Sequence, residues 1–372
     1  MNPIDTLGAV TCARGTLHHS RAALDRGQLT VGFLGGSITA PGVSWPEPLA
    51  AWLGDTFSGV RLAIENAALG ATGSELAAIR AQSEILDRGC DLVFVEYATN
   101  DFGTESGLRA RAREGLLRQL LRAGKCDVVL VYTYCPEMQA DMFAGKVPVS
   151  IADFELLADH YGLNSVWMGL HAVREVQRGL LRWEDWLPDG LHPTTRGSLC
   201  YAQSVMGFLA KALVPGAKAR KSRRGALPAA LVPGAWEHVR LLPLTAAELS
   251  GPWSLRRGTS CPGVMQVLVA SAPGAALSLA FTGRGLVLAF DFGRTSGEIR
   301  HRIDGGTWTV TQRDCPAWAG DAGWLRPHLI TDVLPPGPHR FELEALPGPG
   351  NAVRGSRTAL GLFGVIECGG LR

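Results

Sequence analysis

In "FLGGSITA" (33–40) an apolar run stops at Gly35 and Gly36 and is followed at once by Ser37. Glycine at such a place makes room, either for a tight turn or for a hydroxyl that another reactant must approach. A serine hydroxyl is a weak nucleophile at neutral pH and needs a base to take its proton, usually a histidine. "WLPDGLHP" (186–193) supplies His192, with Asp189 three residues before it. With a turn between them, Asp189 reaches the Nδ1 proton of His192 and leaves Nε2 to face Ser37. A carbonyl attacked by Ser37 would develop an oxyanion that needs hydrogen-bond donors. "NAALGATGS" (66–74) and "EYATNDF" (96–102) offer them: the Gly70 N–H, beside that of Ser37, and the Asn100 side-chain amide. Glycine leaves the oxyanion uncrowded, and an amide does not repel it as a carboxylate would.

Singly, each stretch has a structural reading. Gly70 can be a strand-to-helix turn, Asn100-Asp101 the N-cap region of the next helix, and Asp189–Pro193 a capping loop. Jointly they favour chemistry, because each follows an element that would aim it at one place. "LTVGFLG" (29–35), "VRLAIENA" (60–67), "DLVFVEYA" (91–98) and "CDVVLVYTY" (126–134) are short apolar runs, as in strands buried on both faces of a parallel sheet. Helical patterns alternate with them, including "ESGLRARAREGLLRQLLRAG" (105–124), whose arginines are read as a solvated outer face, and "TRGSLCYAQSVMGFLAKAL" (195–213). Such alternation predicts a three-layer α/β domain, in which ligands bind beyond the carboxyl ends of the strands.

The order Gly-x-Ser, Gly, Asn-Asp, Asp-x-x-His resembles the four blocks of the SGNH hydrolases, the GDSL lipase/esterase family, over roughly residues 29 to 214. The resemblance implies a flavodoxin-like sheet and ester hydrolysis without a metal or other cofactor. It implies Ser37 as nucleophile, His192 as base, Asp189 as its partner, and Gly70 and Asn100 completing the oxyanion hole with Ser37. Two departures stand out: Gly36 replaces the Asp of the "GDS" block, as in a "GGSIT" subgroup, and Gly73 is a second candidate for the glycine of the hole.

Candidate substrate contacts are Gly36, Gly73, Glu96 and Tyr134, with Glu96 read preferentially as a loop anchor. Tyr132, Met138 and Phe143 are further pocket candidates, while Trp45 and Trp52 are assigned to the core. His18-His19 have no partners in the pattern that would make a metal site.

The 372 residues suggest two domains. The first spans 1–214, with an N-terminal extension over 1–28, and 215–235 reads as a mobile linker carrying a basic cluster (Lys218, Arg220, Lys221, Arg223 and Arg224). Beyond it, 236–372 shows short alternating strands and a hairpin signal at Asp304-Gly305-Gly306, as in an all-β jelly roll. This half resembles the jelly-roll modules of some carbohydrate-active SGNH esterases, which implies a sugar-related substrate. Trp308, Trp318, Trp324, Arg326 and His328 are its candidate sugar contacts.

With 36 basic and 34 acidic residues, the net charge of +2 argues against nucleic acid or an anionic membrane as partner. Eight cysteines without a C-x-x-C pair suggest free thiols, and the N-terminus lacks a signal pattern, so a cytoplasmic location is expected. The expected activity is removal of a small acyl group, acetyl first, from a saccharide ester. Transfer of the acyl group to a sugar hydroxyl is the alternative that uses the same residues. A non-catalytic carbohydrate-binding protein is the alternative outside enzymology.

Overall fold

The computed structural model describes residues 2–213, 226–257, 264–272, 274–292, 296–311, 324–346 and 357–369. The chain divides into two compact units, Met1–Ala235 and Trp236–Arg372.

Six strands form the sheet of the first unit: β1 (Thr11–Cys12), β2 (Gln28–Gly35), β3 (Arg61–Asn66), β4 (Leu92–Glu96), β5 (Asp127–Val131) and β6 (Asn164–Val166). Their order is β1-β6-β5-β4-β2-β3; β2 to β6 pair in parallel and β1 adds antiparallel to β6. Around them lie α1 (His18–Asp25), α2 (Pro46–Thr56), α3 (Ser74–Ala81), α4 (Ser106–Ala123), α5 (Gln139–Phe143), α6 (Val149–Tyr161), α7 (Met168–Gln177), α8 (Trp183–Trp186) and α9 (Thr195–Leu213). From β2 the chain winds outward in both directions, to β3 on one side and to β4, β5 and β6 on the other. Right-handed crossovers therefore cover both faces with helices, which is the flavodoxin-like arrangement.

The central strands β4 and β5 are fully buried, as continuous apolar runs require. β3 differs from expectation. It pairs only with β2, so it is an edge strand with exposed positions, Ile64 among them. A second difference is α4, whose Arg109, Arg113 and Arg118 are buried. Each finds fixed acceptors: Arg109 pairs with Asp153, Arg113 with Asp101, and Arg118 donates to the Pro228 carbonyl. The basic cluster of the linker lies outside the described residues, but the chain that follows is tied down. Buried Glu114 accepts the N–H groups of Leu231 and Val232 at 2.7 and 2.6 Å.

The second unit is built of two antiparallel sheets, as the all-β expectation required. One has the order β15-β12-β17-β10-β9, with β7 also on β17; the other has the order β14-β13-β16-β11-β8. The strands are β7 (Val239–Leu242), β8 (Glu248–Ser250), β9 (Ser254–Arg257), β10 (Gln266–Ala270), β11 (Ala276–Gly283), β12 (Gly285–Phe292), β13 (Ile299–Ile303), β14 (Thr309–Val310), β15 (Trp324–Thr331), β16 (Gly337–Ala345) and β17 (Thr358–Ile366). Leu279, Phe281, Leu288, Phe290, Phe341 and Phe363 are among the residues that fill the space between the sheets. The Asp304-Gly305 signal does turn β13 into β14, with both residues at positive φ (51° and 69°).

The candidate sugar contacts of this half are divided. Trp318 lies outside the described residues. Trp308 is covered by the guanidinium groups of Arg300 and Arg302, at 4.7 and 4.5 Å from its ring centre. Arg326 and His328 stand opposite the core residues Phe290 and Leu288 in the β12–β15 pairing. Trp324 lies beneath the Arg326 guanidinium. The six described cysteines, Cys12, Cys90, Cys126, Cys135, Cys200 and Cys368, are free thiols.

Candidate active site

β2 ends at Gly35, and the next four residues close one turn: the N–H groups of Thr39 and Ala40 both reach the Gly36 carbonyl, at 3.1 and 2.9 Å. Neither Gly35 nor Gly36 has a positive φ. Crowding is what demands glycine here. A Cβ on Gly35 would come within 2.7 Å of the Thr39 side chain, and one on Gly36 within 1.9 Å of Asn100 Oδ1. Gly36 is thus the floor on which the Asn100 amide lies, and it brings that amide beside Ser37. In a trans, planar peptide the Ser37 N–H points opposite to the Gly36 carbonyl, so the turn fixes its direction too.

The β3–α3 loop supplies the third element. Leu69 N–H bonds the Gly35 carbonyl at 3.0 Å, which carries the loop alongside the nucleophile turn. A Cβ on Gly70 would stand 3.7 Å from Ser37 Cβ, so the missing side chain opens the space next to the serine. The tight conformation falls on the next residue, Ala71, at φ 57°. Gly73 does something else. It caps α3, and a Cβ there would meet Glu75 and Asp101 rather than Ser37.

His192 comes from the α8–α9 loop. Gly190, at φ 84°, lets that loop double back so that Asp189 lies under His192. Ser37 Oγ is 2.8 Å from His192 Nε2, and His192 Nδ1 is 2.8 Å from Asp189 Oδ2. Asp189 Oδ1 accepts the N–H groups of Leu191 and His192 at 2.9 and 2.7 Å, which fixes the carboxylate in place. Against the upward push of partial burial, the His192 and Leu191 donors hold the Asp189 pKa down at about 2. His192 therefore has an ionised partner across the neutral range. Beneath the loop Tyr134, Trp183, Trp186 and Tyr201 form an aromatic base, with ring centres 4.9 to 5.9 Å apart.

That base corrects one expectation. Tyr134 is buried and packs under the His192 loop, so it does not face substrate. Tyr132 and Met138 are also buried, whereas Phe143 is exposed. Glu96 is 0 % exposed and lies below the Ser37 turn, where it accepts from Thr39 and Thr133. Gly36 and Gly73 are buried as well and serve packing. Trp45 is core, stacked edge-on against Phe33 and Phe94, while Trp52 is half-buried against Phe57.

Asp101 also takes a role that the motif did not reveal. The N-cap of α4 is Glu105, which accepts from Gly107 and Leu108. Asp101 instead accepts Ser74 N–H at 2.8 Å and Arg113 Nε at 2.7 Å, both fully inside the protein. It thereby joins the Gly70 loop to the Asn100 loop. Among the described residues no group of three or more His, Cys, Asp or Glu side chains is arranged to hold a metal ion.

An α/β domain with a hydrogen-bonded Ser-His-Asp set at the carboxyl ends of its strands defines a serine hydrolase of the SGNH type. Residues 33–198, within the first unit, match the model of the GDSL-like Lipase/Acylhydrolase family. The two-unit fold is that of a solved two-domain esterase (CEX) active on acetylated mannans. In its complex with mannopentaose it is 20 % identical to this chain, with 99 % of each chain covered and a TM-score of 0.81. Without that ligand the values are 21 % identity, 98 % and 99 % coverage and a TM-score of 0.80. No curated protein sequence matches the chain.

Proposed function

We propose that the protein is a serine O-acetylesterase acting on an acetylated carbohydrate. The observation that carries the chemistry is the continuous relay from Ser37 Oγ through His192 to Asp189, with both links at 2.8 Å. Ser37 Oγ attacks the acetyl carbonyl carbon while His192 Nε2 takes its proton. The Ser37 N–H, the Gly70 N–H and the Asn100 amide receive the oxyanion. Collapse breaks the bond to the sugar oxygen, which leaves with the proton from His192. Water then repeats the sequence on the acetyl-enzyme, and acetate departs.

The carbohydrate part of the reading is supported by the shared two-unit fold with an esterase active on acetylated mannans. Hydrolysis is favoured over transfer because the site is wet: the His192 and Asp189 side chains are 49 % and 54 % exposed. A transferase has to exclude water from its acyl-enzyme. The test is a profile of released acid over p-nitrophenyl esters of increasing chain length and over acetylated manno- and xylo-oligosaccharides, with added sugar acceptor. Acetate release that is highest on an acetylated oligosaccharide, and insensitive to acceptor, is expected. A preference for long acyl chains, or acylated acceptor as the main product, would contradict it.

A further inference from the structure

Glu96, the last residue of β4, is a carboxylate with no exposed surface, on which hydroxyl donors from beyond the ends of β2 and β5 converge. Thr39 Oγ1 donates to its Oε2 at 3.0 Å, and Thr133 Oγ1 donates to its Oε1 at 2.7 Å. Each donor extends further. Thr39 Oγ1 accepts the indole N–H of Trp45 at 2.9 Å, and Thr133 Oγ1 lies 2.7 Å from the hydroxyl of Thr99, the neighbour of Asn100. Thr39 closes the turn that carries Ser37, its N–H on the Gly36 carbonyl. One side chain therefore holds the nucleophile turn from below and, through two hydroxyls, the loop that presents Asn100.

We propose that Glu96 is a positioning residue that sets the Ser37 N–H and the Asn100 amide in the geometry of one oxyanion hole. The inference rests on the reading of Ser37 as nucleophile. An ionised carboxylate is the group that suits the place, because its two oxygens accept from both hydroxyls at once. Gln keeps one acceptor oxygen and puts donors in place of the other, so one of the Thr39 and Thr133 hydroxyls must stop donating to this side chain in Glu96→Gln.

The ionised form is costly to the fold. Burial first of all, with the Asp101 charge adding to it, pushes Glu96 up to about 7 against the hydrogen bonds that lower it. A carboxyl raised in this way loses folding stability as pH climbs from its unfolded value to its folded one. At pH 8 the neutral Gln escapes that cost. A residue kept only to hold the fold would lose stability and activity together, whereas a positioning residue separates them.

The experiment measures kcat, KM and Tm at pH 8 for Glu96→Gln and Thr133→Val, with Ser37→Ala as control. For Glu96→Gln a kcat lower by at least ~10-fold, KM within about threefold and a Tm not below wild type are expected. Thr133→Val, nearly isosteric, is expected to lower kcat in the same sense with KM unchanged. Wild-type kcat in both variants, or a loss of kcat that only follows a fall in Tm, overturns the proposal. Activity retained by Ser37→Ala overturns the underlying reading instead, whatever Glu96 does.

Discussion

Replacing His192 by Ala is expected to lower kcat by roughly 10⁴- to 10⁶-fold, with a much smaller change in KM. His192 is the group 2.8 Å from Ser37 Oγ, and the loss of its imidazole leaves the hydroxyl without a base and the departing alkoxide without an acid. Asp189→Asn should cost less than this but still at least ~10²-fold, since an amide holds the wrong imidazole tautomer. Asp189 sits at about 2, so its own ionisation does not limit the rate at mild acidity. Stopped-time acetate release by the purified variants, with folding checked by circular dichroism, measures both. The ring is half exposed on a loop, so fold stability should change little.

The second large effect belongs to Gly36→Ala. A Cβ at this position would stand 1.9 Å from Asn100 Oδ1 and 2.5 Å from its Cγ, distances that no real contact permits. The Asn100 side chain must swing away or the nucleophile turn must lift. Either movement separates an oxyanion donor from the carbonyl it serves, and removal of one such donor costs about 10²- to 10³-fold in kcat. KM should move much less, because the donor acts mainly on charge that develops in the transition state. The mechanism is checked by a double-mutant cycle with Asn100→Ala. If Gly36→Ala acts through Asn100, the double variant is hardly worse than the worse single one. Multiplicative losses would show that the turn itself has been displaced.

Much of this site was legible from strand ends alone. An apolar run in an α/β pattern announces its carboxyl end, and the four stretches at Ser37, Gly70, Asn100 and Asp189–His192 fall together as their order implied. What could not be read was the side of the sheet edge on which a residue points. Tyr134 is just beyond a strand end, as a substrate contact would be, yet it is buried and packs against Trp183 and Trp186. The arginines of α4 show the same limit. Their charge suggested water, but Arg113 is 1 % exposed because Asp101, twelve residues earlier, returns to meet it. Pairing of that kind depends on how the loop after β4 folds back onto α4, which periodicity does not encode. The apolar content of β3 suggests a buried strand, but an edge position is set by topology and is invisible in a six-residue run.

The claim on which everything else depends is that Ser37 forms the acyl-enzyme. Reaction with a fluorophosphonate, followed by mass spectrometry of the digested protein, tests it most directly. The account predicts one phosphonyl group, carried by the Ser37 peptide, with labelling abolished in Ser37→Ala and greatly slowed in His192→Ala. A wild-type protein that hydrolyses acetyl esters but is not labelled at Ser37, or is labelled at another serine, would contradict it.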